Sequence, residues 1–192
     1  PKTPKPRQID FYNNYYKMGF GCSSCSTCGE DRTMEANLRR FTDKVEKWKA
    51  ATKMEGQFET KEEQTLKDGS KYTGQWLKDK KHGEGKLVYK NGDVYEGQFK
   101  DDKFDGFGVY TSKFEGNTYE GLWKNGVHKG EGVEVWKDGS TYEGTYDNGD
   151  RTGKGKFTFA DGSTYEGDFK RNKLEGQGTK WGPKYRTKKL LE

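Results

Sequence analysis

The chain has 192 residues, of which 28% are hydrophobic and 35% charged, too lean in apolar side chains for a large conventional core. An aromatic content of 15% and 27 glycines at regular intervals set it apart from a disordered chain, which is poor in rings. The net charge of +5 is unevenly placed: residues 1–20 hold four bases against one acid, residues 180–192 five against one, and residues 54–179 come out at −4, which disfavours a nucleic-acid-binding face on the middle of the chain.

The first segment, 1–29, opens on Pro1 rather than Met, so the natural start is expected upstream. Its prolines, and the rings of Phe11, Tyr12, Tyr15, Tyr16 and Phe20, follow no helix or strand period. It reads as an extended arm, either ordered by a partner or mobile. Cys22, Cys25 and Cys28 form C-x2-C-x2-C, the spacing that begins a ferredoxin-type cluster site. Arg32 stands where the fourth ligand belongs, and neither His82 nor His128 is close in sequence. A metal site would therefore need a ligand from elsewhere. A second reading is lipidation, since Met18 to Ser23 matches a myristoylation pattern beside cysteines suited to palmitoylation. Seventeen residues precede Met18, so only palmitoylation survives, and an unmodified linker stands beside it. Three cysteines in one short stretch make no disulfide framework. With no apolar run near the roughly 20 residues of a membrane span and no secretory signal, a cytoplasmic, reducing compartment is expected.

Residues 30–53 read as one amphipathic helix. Met34, Leu38, Phe41, Val45 and Trp48 are spaced by 4, 3, 4 and 3, a heptad-type seam. Asp31 or Thr33 can cap its start, with Glu35 in the first turn where the dipole favours acid. Arg39, Arg40, Lys44 and Lys47 fall on the other side. The seam has two readings: it packs on this chain's own later residues, or it docks on a partner helix.

Residues 54–71 resemble a partial repeat. The phrase MEGQF at Met54–Phe58 imitates a repeat start without the second half, as suits a cap on an open-ended array.

From residue 72 to 184 the chain is periodic. Tyr72, Tyr95, Tyr119, Tyr142 and Tyr165 are separated by 23, 24, 23 and 23 residues, and each opens the same phrase: YTGQW, YEGQF, YEGLW, YEGTY, YEGDF. A Gly-x-Gly pair follows each, from Gly83 and Gly85 to Gly176 and Gly178. Four repeats close on glycine turns at Gly92, Gly116, Gly139 and Gly162, and the extra residue of the second repeat falls between Gly108 and Gly116. Alternation in YEGQF puts Tyr95, Gly97 and Phe99 on one face and Glu96 and Gln98 on the other. The next six residues, Lys100 to Asp105, are polar enough for a turn, and Gly106, Gly108 and Tyr110 share a face of the next strand. Glycine normally weakens a strand, but here it leaves room for a ring from the neighbouring strand to lie on the backbone. Each unit is thus a hairpin whose aromatic face is completed by its neighbours. About ten strands are expected in one elongated antiparallel sheet.

The pattern YxGxWxxxxxxGxGxxxxxxG resembles the MORN repeat (membrane occupation and recognition nexus), over some three-fifths of the chain. That resemblance implies a mainly β, single-layer, elongated sheet used for protein scaffolding or membrane contact. Similar proteins include radial-spoke-head components of cilia, junctophilins, plant phosphoinositide kinases and cytoskeletal proteins of protists. The fifth repeat departs from the pattern, with Trp181, Gly182 and Pro183 in place of a closing turn.

The surface expected to bind partners is the aromatic groove of Tyr72, Trp76, Tyr95, Phe99, Tyr119, Trp123, Tyr142, Tyr146, Tyr165 and Phe169. Such rings serve either as binding anchors or simply as the packing that holds the sheet. A one-layer sheet leaves one face in need of a cover: the 31–51 helix, a partner segment or another copy. His82 and His128 sit near turns and are ascribed to the repeat, and no serine has a nearby base. No GxxxxGK[ST] loop occurs, so no enzyme, metal or cofactor is expected. The basic tail, 185–192, is either a solvated end or a contact for an acidic surface. By family analogy the sequence suggests a non-catalytic scaffold in a cytoskeletal assembly, a ciliary axoneme first, bound to other proteins of that assembly. The alternative is a peripheral membrane tether using acylated cysteines and basic ends.

Overall fold

The computed structural model describes Asp43, Glu46, Lys47, residues 57–183 and the backbone of 188–191. The chain divides into two units, Pro1–Phe41, which falls outside the described residues, and Thr42–Glu192. The expected arm, the cysteine cluster and most of the expected helix therefore lie outside the described residues. Asp43, Glu46 and Lys47 are helical.

Within the second unit, twelve strands form one antiparallel sheet in strict chain order. They are β1 (Glu59–Thr65), β2 (Lys71–Leu77), β3 (Lys80–Val88), β4 (Val94–Lys100), β5 (Lys103–Thr111), β6 (Thr118–Lys124), β7 (Val127–Val135), β8 (Thr141–Asp147), β9 (Asp150–Thr158), β10 (Thr164–Lys170), β11 (Lys173–Trp181) and β12 (Lys188–Leu191). The ten strands β2 to β11 are the five repeats, each a seven-residue strand followed by a nine-residue one. Two more flank them. β1 pairs with β2, and β12 pairs with β11 from within the stretch read as a basic tail.

The hairpin turns are tighter than the sequence suggests. The six residues 100–105 read as a turn, yet β5 starts at Lys103 and only Asp101 and Asp102 lie between strands. Both have positive φ, 48° and 69°, the signature of a type I′ turn whose twist matches that of the strands. Lys78–Asp79, Asn125–Gly126, Asn148–Gly149 and Arg171–Asn172 repeat it. The turns between repeats are longer. Asp68, Asp138 and Asp161 each accept the N–H two residues on, at 2.8–2.9 Å. The extra residue of the second repeat enlarges its turn, where Ser112 N–H reaches the Asn117 carbonyl, and puts Phe114 out at 92% exposure.

Each repeat also carries a β-bulge. Between β4 and β5 the register passes from Gly97↔Gly108 to Phe99↔Phe104, so the β5 strand has residues to spare opposite Gln98. The same shift recurs in the other four hairpins. The first glycine of each Gly-x-Gly pair lies there with positive φ, for example Gly106 at 101°.

Candidate functional site

The repeat phrase builds a continuous ladder of rings along one face. Within each repeat the first tyrosine meets the ring four residues on, edge to face: Tyr72–Trp76, Tyr95–Phe99, Tyr119–Trp123, Tyr142–Tyr146 and Tyr165–Phe169. Each of the first four tyrosines also meets the corresponding ring of the next repeat: Tyr72–Phe99, Tyr95–Trp123, Tyr119–Tyr146 and Tyr142–Phe169. Centroid separations along this run of ten rings stay between 4.9 and 5.5 Å. Such pairs contribute about 0.5–1.5 kcal/mol each beyond the area they bury. All ten residues of the expected groove are thus brought together. Nine are at most 6% exposed, and the tenth, Trp76, is half-buried. They are the core of the sheet, and their faces are spent on one another.

The bulge and the tyrosine explain each other. Opposite a bulge the ladder is broken, and the Tyr95 hydroxyl donates to the Gln98 carbonyl at 2.9 Å. The other four tyrosines do the same to the carbonyl three residues on, at 2.9–3.1 Å. To get there the ring crosses the second glycine of the Gly-x-Gly pair, and a Cβ on Gly108 would fall onto the Tyr95 hydroxyl. In the first two repeats a glutamine completes the bulge: Gln75 and Gln98 accept the backbone N–H of Glu84 and Phe107, at 2.7 and 2.8 Å. Gln98 is only 3% exposed although it points away from the ring face.

A further layer stands on the ladder. Nine residues after the first tyrosine, Phe104 lies flat on Tyr95 and His128 flat on Tyr119, both at 3.6 Å, while Arg151 sits 5.6 Å over Tyr142. Burial holds the His128 imidazole down at about 4, because charging it would cost solvation. The sequence ascribes His82 and His128 to one repeat position two repeats apart. They differ: Lys81, not His82, pairs as His128 does, and His82, one residue later in its repeat, stacks on Phe58 at 5.6 Å and lies near Asp101. The extra residue of the second repeat makes their spacing misleading. Glu134 is pushed up by burial while accepting the Tyr146 hydroxyl at 3.0 Å.

Several of the rings left partly open lie at the far ends of the second strands. Trp136, Phe157 and Phe159 are half-buried and packed in series, with centroids 5.4 and 4.7 Å apart. Arg151 stands over Trp136 at 5.2 Å and over Phe157 at 5.7 Å, and Lys180 over Phe159 at 4.9 Å. This is a cation-bearing aromatic patch, able to take apolar side chains and an acidic group together. The sequence reading missed it because these residues fall outside the YxGxW phrase. A period-two signal was present in Phe157 and Phe159, with Trp136 at the equivalent position one repeat earlier.

Cys22, Cys25 and Cys28 and the seam residues Met34, Leu38, Phe41, Val45 and Trp48 lie outside the described residues. Among the described residues no helix is long and apolar enough to cross a membrane, and no group of three His, Cys, Asp or Glu side chains is placed to hold a metal ion.

The family model of the MORN repeat matches residues 72–94, 95–113, 119–141, 142–164 and 165–185, more than half of the chain. No curated protein matches it. Among solved structures the chain is similar to the TCP domain of SAS-4 (dCPAP) in complex with a proline-rich motif of Ana2 (dSTIL), from Drosophila melanogaster. That likeness has 16% identity and a TM-score of 0.38, and covers 63% of this chain and 71% of that one.

Proposed function

The chain belongs to the MORN repeat family, whose arrays are protein-interaction or membrane-binding scaffolds, and from that premise we propose that it is a non-catalytic scaffold binding partner proteins of a cytoskeletal assembly. The observation that carries this reading is the patch of Trp136, Phe157 and Phe159 under Arg151 and Lys180. It is a part of the ring face left half-buried beside the ladder, and its cations suit an acidic, aromatic or aliphatic partner segment. The ladder behind it supplies rigidity, so a bound segment loses its own freedom but meets a preformed surface. Family analogy favours a ciliary axoneme, at a radial-spoke or doublet-associated position.

The test compares two fractionations of the native protein. Retention with detergent-extracted cytoskeletal or axonemal fractions supports the scaffold. Flotation with liposomes, lost after thioester cleavage by hydroxylamine, sinks it in favour of a membrane tether through acylated Cys22, Cys25 or Cys28.

A further inference from the structure

The face of the sheet opposite the rings is not uniform, and the repeats serve as controls for one another. One residue after the first tyrosine stand Glu96, Glu120, Glu143 and Glu166. Glu120 alone is buried, at 5% exposure, while the other three are exposed. Twelve residues after the tyrosine, Glu84, Glu131, Lys154 and Gln177 are exposed, yet Phe107 is 3% exposed. Asp105 is buried where Lys129 of the next repeat is exposed. Equivalent positions on one regular sheet have equivalent backbone surroundings, so this local burial comes from something that covers β4 to β6.

The composition changes at the same place. Phe107 neighbours Leu122, and Val109 and Val133 flank Glu120 across the strands. At these positions other repeats carry glutamine, glutamate, aspartate, lysine or threonine. All twelve strands belong to the one sheet, so no described strand forms a second layer over this spot.

We infer that this apolar spot is a docking seat for the 42–53 segment of the same chain. Asp43, Glu46 and Lys47 are helical and exposed, and their i, i+3, i+4 spacing puts them on one side of a helix. By sequence spacing alone, a helix through those three residues carries Val45 and Trp48 on its other side, an apolar pair to match Phe107 and Leu122. Charge agrees: the segment holds Lys44, Lys47, Lys49 and Lys53 against Asp43 and Glu46, and the seat is rimmed by Glu96, Glu131 and Glu143. The seat lies on the face opposite the partner-binding rings, so occupying it leaves that patch open.

Hydrogen–deuterium exchange on the full chain tests the seat. A free helix of this length is marginal in water, so protection of 42–53 requires a tertiary contact. The expected result is exchange at least about tenfold slower than in the isolated peptide. The paired substitution Phe107→Lys with Leu122→Lys should remove that protection while β8 to β11 keep theirs. Gln177→Lys, at the position of Phe107 in the fifth repeat, should leave it unchanged. If the paired variant disturbs β5 and β6, Val45→Ala with Trp48→Ala reads the contact from the other side and should give the same loss. Fast exchange of 42–53 in the unaltered chain would overturn the seat. So would protection that survives the Val45 and Trp48 substitutions, or protection lost on dilution, which would mean a second copy is the occupant.

Discussion

The Tyr95 hydroxyl donates a hydrogen bond of 2.9 Å to the Gln98 carbonyl, three residues ahead on its own strand. The register shift leaves that carbonyl opposite a bulge, and the tyrosine is fully buried. Tyr95→Phe keeps the ring in the ladder and removes only the donor. The expected loss is about 1–3 kcal/mol, the cost of an unpaired buried polar group, read from urea denaturation with an unchanged slope. A loss below about 0.5 kcal/mol would show that water or another donor serves the carbonyl equally well.

Gly108 is expected to tolerate nothing larger. A methyl group there meets the Tyr95 hydroxyl and ring, which cannot retreat because Phe104 is stacked on it at 3.6 Å. Gly108→Ala should cost at least about 2–3 kcal/mol, as overpacking in a rigid core does. Gly139→Ala is a useful contrast, since nothing lies within 4 Å of its Cβ. Its cost comes only from a φ of 87°, about 1 kcal/mol. Thermal unfolding of the two variants should separate them clearly.

The type I′ turn at Lys78–Asp79 places two non-glycine residues at φ of 49° and 60°. Asn125–Gly126 does the same job with the residues that favour it. Replacing Lys78–Asp79 by Asn–Gly should therefore stabilise the array by about 1 kcal/mol, the left-handed strain it relieves. An unchanged or lower melting temperature would mean the lysine and aspartate make contacts that outweigh the backbone preference.

His128 gives the fold a pH dependence of definite sign. Its folded value of about 4 lies below the ordinary 6.5, so the unfolded chain binds the proton more tightly. Stability from this residue is complete above pH 6.5, falls as pH drops from 6.5 towards 4, and is constant below. Glu134, pushed up by burial, acts with the opposite sign, so a variant isolates the histidine. His128→Phe copies the Phe104 arrangement and should flatten the pH 4–6.5 slope without loss at pH 7. A slope unchanged in that variant would assign it to other groups.

Much of the fold was legible because the information recurs. Tyr72 to Phe169 repeat one phrase, and the ring ladder follows from it residue by residue. The bulge was not legible, since it depends on the spacing between Gly97 and Phe104 across a turn whose length the polar run from Lys100 to Asp105 disguised. The ten rings read as a groove because sequence shows which face a side chain takes, not how tightly its neighbours close over it. Trp136, Phe157 and Phe159 escaped notice for the converse reason. They lie at a strand end that varies between repeats, and openness there depends on Arg151 of β9 and Lys180 of β11.

In the proposed function the ladder holds the sheet while the open patch holds the partner. The most direct measurement is retention of Trp136→Ala with Phe157→Ala on the cytoskeletal fraction that retains the unaltered protein, with the fold checked by near-ultraviolet circular dichroism. Removing two aromatic anchors of an interface costs about 2–4 kcal/mol, so retention should fall at least about thirtyfold in affinity while Tyr72 to Phe169 stay packed. Undiminished retention of the folded double variant would contradict the account.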